Sequence, residues 1–363
     1  MPEQEVTQSA FTKARKKFSH SAFIELNQGL NEALTQRLPL QRWYGLRLLA
    51  VDGSKLRLPN IPALGEHFGT STNATDTPCP QALYSTLYDV LNHFVLDAQV
   101  ARYDASERDL ALAHLNAVGP GALVLFDRGY PAFWLFAAMI ERGIDFCVRL
   151  PWNLYKASEA LVMNGARERC FTLHPSAEAQ RDCAALGLST KPLTLRLVRV
   201  ALASGETEVL LTSLRDTERF PAKEFQALYH YRWGIEEAYK RQKHPLALES
   251  FSGHSVEAIL QDIHAHVLTY NLTALLAFAA RPRIAQATAT RRHVYQVNWT
   301  RAFSKLRHTV LHLLLRNAGP AFLDALVVAV ARDCEAVRPD RTFPRKGRRS
   351  RVNGRVSGYK PTC

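Results

Sequence analysis

Three carboxylates in this 363-residue chain stand where a carboxylate can do chemistry. Asp52 follows the apolar run Leu48-Leu49-Ala50-Val51, Asp127 follows Leu123-Val124-Leu125-Phe126, and Glu236 lies in the aromatic and basic stretch YHYRWGIEEAYKRQKH. In open α/β folds, acids at the carboxyl ends of apolar strands gather at one edge of the sheet, where ligands bind. Oxygen donors there suit Mg²⁺. Three carboxylates can hold two ions about 3.5–4 Å apart, which activates a water and steadies the leaving oxygen in phosphodiester chemistry. An Asp before a Gly, as Asp52 stands before Gly53, serves equally well as a turn residue.

The stretch around Glu236 is expected to be one helix running from PAKEF to RQKH and closed by Pro245. At about 100° per residue, Tyr229, Arg232, Glu236, Tyr239 and Lys243 fall within roughly 80° of arc. Leu228, Ile235 and Ala238 supply the adjoining, apolar face. A solvated face with i,i+4 pairing accounts for Arg, Glu and Lys. It accounts less well for two tyrosines on the stripe and Trp233 at its border, since aromatics beside cations suit phosphates and bases.

These residues need elements to position them. Residues 1–45 read as helices, with Phe23, Leu26, Leu30 and Leu34 at helical spacing. LRLLAVDGSKLRLP changes period to a strand ending at Asp52-Gly53, and a Gly, Thr, Asn and Pro-rich loop follows from Asn60 to Pro80. Two β segments, ALYSTLYDVL and HFVLDAQVARY, turn near Asn92. ASERDLALAHLNAV is a helix capped by Ser106, GALVLFDRGYP a buried strand, AFWLFAAMIERG a helix and IDFCVRLP a strand. The stretch from Trp152 to Arg219 is less regular and β-rich; helices follow through 255–280 and 300–335.

Composition narrows the class. Lys plus Arg number 46 against 33 Asp plus Glu, a net charge of +13 that suits a polyanionic partner. From Arg338 onward nine basic residues face one acid, Asp340, so this tail carries +8 of the total. Six scattered cysteines form no CxxC, which argues against a zinc ribbon or a disulfide framework and for a reducing cytoplasm. The N-terminus lacks a secretory signature, and the longest apolar stretch, HVLTYNLTALLAFAA, is shorter than the roughly 20 residues a bilayer needs. There is no GxSxG, P-loop or GxGxxG after a strand. His308 with His312, and His264 with His266, have the spacing of metal pairs but no further ligand, and packing histidines explain them better.

Tyr229, Arg232, Glu236 and Lys243, with VDGS around Asp52 and LFDRGY around Asp127, resemble the DDE transposases of the IS-four insertion-sequence group, to which the transposon-five transposase is related. ASERDLA, FCVRLP and LLTSLRDTERFPAKEF are similar to that family too, and the likeness covers roughly Leu46 to Gly253. The resemblance implies an α/β fold: an RNase H-like catalytic core over 46–151 and 219–280 and a β-rich insertion over 152–218. A helical segment over 1–45, a helical region over 281–337 and a basic tail over 338–363 flank it. It implies Asp52, Asp127 and Glu236 as catalytic ligands of two Mg²⁺ or Mn²⁺ ions. Tyr229, Arg232, Trp233 and Lys243 would hold DNA near the cut. The expected activity is cut-and-paste DNA transposition through a hairpin intermediate, by a homodimer pairing inverted-repeat ends and joining them to target DNA at the bacterial nucleoid. The alternatives are an RNase H-like nuclease that does not join, or a DNA-binding remnant or inhibitor of transposition.

Overall fold

The protein is described from a computed structural model covering residues 7–72, 78–202, 205–315 and 319–338; the basic tail lies outside the described residues except for its first position. In chain order come α1 (Gln8–Arg15), α2 (Ser21–Arg37), β1 (Arg47–Arg57), α3 (Pro62–Phe68), β2 (Thr70–Thr72), β3 (Pro78–Asp89), β4 (Phe94–Arg102) and α4 (Glu107–His114). There follow β5 (Ala122–Phe126), α5 (Phe133–Glu141), β6 (Asp145–Leu150), α6 (Lys156–Met163), β7 (Glu168–Leu173), α7 (Ala177–Ala185), β8 (Leu193–Ala201) and β9 (Thr207–Thr212). The last elements are α8 (Phe225–His230), α9 (Trp233–Lys243), α10 (Val256–Thr288), β10 (Tyr295–Val297), α11 (Trp299–Leu315), α12 (Pro320–Arg332) and β11 (Cys334–Ala336).

The chain divides into two compact units. The unit formed by Leu30–Leu56 and Ala82–Ala238 is built on a mixed sheet in the order β4-β3-β1-β5-β6-β9-β8-β7. β1, β5 and β6 run parallel, β4 is antiparallel to β3, and β9, β8 and β7 continue antiparallel from β6. The parallel strands β1, β5 and β6 stand at the centre of the sheet, with α4 and α5 in the connections that lead into β5 and β6. All five residues of β5 are buried, which is why Ala-Leu-Val-Leu-Phe carries no alternation: a parallel central strand is covered on both faces.

Several expectations change. β1 does not stop at Asp52-Gly53 but runs on to Arg57. Its ladder with β5 ends at Ala50, so Asp52 lies within the strand just past the parallel pairing. The region read as loop after Asn60 contains α3 and β2, because Pro62 starts a helix well and Leu64 and Phe68 bury its apolar side. The irregular stretch after Trp152 holds α6 and α7 as well as three strands, and those strands extend the main sheet.

The helix expected across Tyr229 to Lys243 is two helices. Between α8 and α9 the backbone tightens into i→i−3 hydrogen bonds, Tyr231 to Leu228 (3.2 Å), Arg232 to Tyr229 (3.1 Å), Gly234 to Tyr231 (2.9 Å) and Ile235 to Arg232 (3.2 Å). A run of His, Tyr, Arg, Trp and Gly has little intrinsic drive to hold the wider turn. Tyr229 and Glu236 therefore do not share one regular helical stripe.

The other unit comprises Met1–Gly29, Arg57–Gln81 and Tyr239–Cys363. Its centre is α10, 33 residues long with Pro282 inside it. By length and apolarity α10 passes for a membrane span, longer than the apolar stretch legible in sequence, but more than half of its most apolar part is buried inside the protein. It also carries buried polar groups with partners: Asn271 donates to Asn27 at 2.6 Å, and Arg15 reaches Gln261 at 2.7 Å and Asp262 at 3.2 Å. Of the histidines at those spacings, His308 is exposed and the other three have packing or hydrogen-bonding partners. His264 stacks on His20, His266 Nε2 meets the Leu246 carbonyl at 3.0 Å, and His312 lies against Phe322.

Candidate active site

The register of β1 with β5 places the first two acids. Ala50 pairs with Leu125, and Asp52 and Asp127 lie two residues beyond, at the carboxyl end of that parallel ladder, Asp52 within β1 and Asp127 just after β5. Asp52 Oδ1 accepts the Gly53 amide at 2.9 Å, and Asp127 Oδ1 accepts the Gly129 amide at 2.7 Å. Gly129 has reason to be glycine: a Cβ there would lie 3.1 Å from Asp127 Oδ1.

Glu236 stands on α9, in the same unit. Arg232, four residues earlier, sits between the acids, with one nitrogen 2.9 Å from Glu236 Oε1 and the other 3.9 Å from Asp52 Oδ2. Its guanidinium also lies over the rings of Tyr229 (5.8 Å) and Trp233 (5.6 Å), and its buried Nε has no hydrogen-bond partner among the described residues. Burial works against the Arg232 charge, but Tyr229, Glu236 and Asp52 outweigh it and hold the group above its ordinary value. Tyr229 is buried and its hydroxyl donates to the carbonyl of Phe126, the residue before Asp127, at 3.2 Å. Burial pushes its phenol up. Trp233 is half exposed. Lys243, seven residues after Glu236, faces Glu249 at 3.8 Å, and burial pulls its ammonium below the usual lysine range.

Glu107 is a fourth carboxylate, inside the ASERDLA stretch but not singled out as a ligand there. It is the first residue of α4, just after Ser106, whose hydroxyl caps the helix by accepting the Asp109 amide at 3.3 Å. Its carboxyl lies against Gly53, where an added Cβ would meet it at 2.8–3.0 Å, and it accepts the Tyr130 hydroxyl at 2.9 Å. The neighbouring Arg108 donates to the Gly129 carbonyl at 2.9 Å. The first turn of α4 thus touches both the Gly53 side of β1 and the loop after Asp127. Glu107 was legible only as part of the family-like ASERDLA stretch that opens a capped helix, since nothing local marks which face meets the strand.

The charges add up to a deficit of cation. Burial, then Asp127 and Glu107, push the Asp52 carboxyl up to about 7 against the opposing pull of Arg232 and the Gly53 amide. A set of oxygen donors with uncompensated negative charge fits a hard divalent ion. As they stand the carboxylates have not converged: among the described residues, no group of three His, Cys, Asp or Glu is placed to hold a metal, and Glu236 is turned toward Arg232.

Residues 43–272, which carry all three acids, match the family model for the transposase DDE domain. The chain is 28% identical over 270 residues to the transposase InsG for insertion sequence element IS4 of Escherichia coli K12, covering 74% of this chain and 60% of that protein. It is 32% identical over 207 residues to the putative transposase y4zB of Sinorhizobium fredii, covering 57% of this chain and 51% of that one. The chain thus spans between half and two thirds of the length of these relatives. Among solved structures, the cryo-EM structure of the piggyBac transposase synaptic complex with hairpin DNA matches with a TM-score of 0.43 and 10% identity, over 82% of this chain and 59% of that one. Two aspartates at the carboxyl end of one parallel ladder, a glutamate on a later helix and a family match spanning all three lead to one conclusion: the chain belongs to the transposase DDE domain family.

Proposed function

We propose that the protein is a DNA transposase that cuts the ends of an insertion sequence and joins them to target DNA, with Asp52, Asp127 and Glu236 as its metal ligands. The observation that carries this reading is the position of Asp52 and Asp127, each two residues past the last pair of one parallel ladder, in the unit that also holds the Arg232–Glu236 pair. Transposase DDE domains generally use divalent metal ions; two Mg²⁺ or Mn²⁺ ions, when bound, supply an activated water or 3′-hydroxyl and stabilise the leaving oxygen.

The chain's own residues have three tasks. Asp52 gives up its proton and ionises. Arg232 leaves Glu236 for a DNA phosphate, a bidentate partner that suits its planar fork, and so frees the glutamate to turn toward the aspartates. Trp233, exposed beside Arg232, offers a stacking face for a base, and Lys243 adds a point charge for the backbone. Tyr229 holds DNA indirectly, orienting Asp127 through the Phe126 carbonyl and packing beneath Arg232. Inverted-repeat ends and target DNA are the proposed partners, with a homodimer pairing the ends at the nucleoid.

Incubation with Mg²⁺ and a labelled duplex carrying the repeats that flank the coding sequence tests this. Nicks with a free 3′-hydroxyl, hairpins and joined products are expected, and Asp127→Asn should abolish nicking while DNA retention persists. Nicks without joining would favour a plain nuclease, and retention without nicks a binding remnant. Unchanged nicking in Asp127→Asn would sink the ligand assignment.

A further inference from the structure

Behind Asp52, on the side away from solvent, three polar side chains form a chain that the reaction itself does not use. His114, the last residue of α4, places Nδ1 2.7 Å from Asp97 Oδ2 and Nε2 3.0 Å from Ser85 Oγ. Ser85 Oγ in turn donates to the main-chain carbonyl of Asp52 at 3.2 Å. Ser85 and His114 are fully buried, and the side chain of Asp97 is only 14% exposed. Asp97 also accepts Gln99 Nε2 at 2.7 Å. The distances are those of a hydrolase triad, but the serine has no route to a substrate and its proton is committed to Asp52.

We propose that Asp97, His114 and Ser85 are a positioning relay that fixes the main chain of Asp52, and that His114 acts in it as a double donor carrying both ring protons. The proton count follows from the bond that Ser85 donates to Asp52. The Asp52 carbonyl can only accept, so the single hydroxyl proton of Ser85 goes there. Ser85 Oγ must then accept from His114, which makes Nε2 a donor. Asp97 is an ionised acceptor: burial opposes its charge, but the hydrogen bonds from His114 and Gln99 hold its carboxyl below the usual range. Nδ1 is therefore a donor as well, and a buried imidazolium–carboxylate pair stands behind the strand that bears the first ligand. A half-satisfied chain of this kind would leave a buried polar group orphaned, so each member holds the others in place.

The relay has a sequence correlate. Glu107 and His114 are seven residues apart on α4 and lie on one helical face, about 20° from each other. One end of that face meets Gly53 through the Glu107 carboxyl, and the other meets the Asp52 carbonyl through Ser85. α4 thereby grips the Asp52-Gly53 step of β1 at two points.

The functional part of the relay rests on the reading of Asp52 as a metal ligand, so the test separates the two. In the full chain without metal, nitrogen-15 NMR should show both ring nitrogens of His114 bonded to hydrogen near pH 7. A ring with one proton overturns the relay, and this readout on the unsubstituted protein stands even where a variant fails to fold. Mn²⁺ binding without DNA, followed by electron paramagnetic resonance, reads the positioning. Ser85→Ala and His114→Asn should weaken it by at least about tenfold, the usual cost of losing a partner behind a metal ligand. His114→Gln should restore much of it, because its amide nitrogen replaces Nε2 toward Ser85. His114→Asn keeps only the bond to Asp97, so full binding in that variant would show mere packing and overturn the proposal. Binding unchanged by Asp52→Asn would instead overturn the ligand reading, leaving the ring protons to decide the relay.

Discussion

Asp52 is held at a cost. Its carboxyl is raised from 3.8 to about 7, chiefly by burial, so the folded chain binds this proton more tightly than the unfolded chain does. Between these values stability falls as pH rises, and above about 7 the whole penalty is present, up to about 4 kcal/mol. Asp52→Asn is never charged. In a chelator at pH 8 it should melt at a higher temperature than the unsubstituted protein, and at pH 4 the difference should vanish; equal melting at both values would contradict the buried charge. Tyr229 makes the second prediction. Its hydroxyl is committed to Phe126, so Tyr229→Phe should cost about 1 kcal/mol of stability and slow nicking while the affinity for DNA stays the same. A drop in affinity with unchanged kcat would show that the hydroxyl contacts DNA directly.

Among the elements, α4 links the two aspartates. Its Glu107 adds negative charge beside Asp52 and accepts from Tyr130 in the loop after Asp127. Removing that charge favours ionised Asp52, so Glu107→Gln should shift the acid limb of the nicking profile to lower pH, and a shift to higher pH would contradict the electrostatics. The sequence revealed some of this and hid the rest for physical reasons. Asp127 was legible because β5 is an unbroken apolar run with a polar residue at its end, and Ser106 because a cap has a local signature. The break between α8 and α9 was not, because the same periodicity fits one helix or two until the i→i−3 bonds are seen. Ser85 and Asp97 were invisible as a pair: they sit on antiparallel neighbours, β3 and β4, and only the ladder, with Ser85 opposite Gln99 and Leu87 opposite Asp97, brings them near the end of α4. The strand containing Asp52 ran further than expected because β1 outlasts its parallel partner.

For the whole molecule, a charge of +13 predicts binding to DNA that weakens steeply with salt. The segment 338–363 carries +8 of that charge, and deleting it should reduce the slope of log affinity against log salt by about 0.9 for each phosphate it had neutralised. An unchanged slope would assign the phosphate binding to other surfaces. The burial of β5 has a consequence of another kind. Amide hydrogens from Ala122 to Phe126 lie in the middle of the sheet and should exchange only through global unfolding, whereas Arg128 and Gly129 are exposed and should exchange through local openings. Asp127 sits at the step between the two regimes. Its backbone is anchored by a fully buried strand while its carboxylate borders an exposed loop, so the group can adjust to a substrate without the fold having to open.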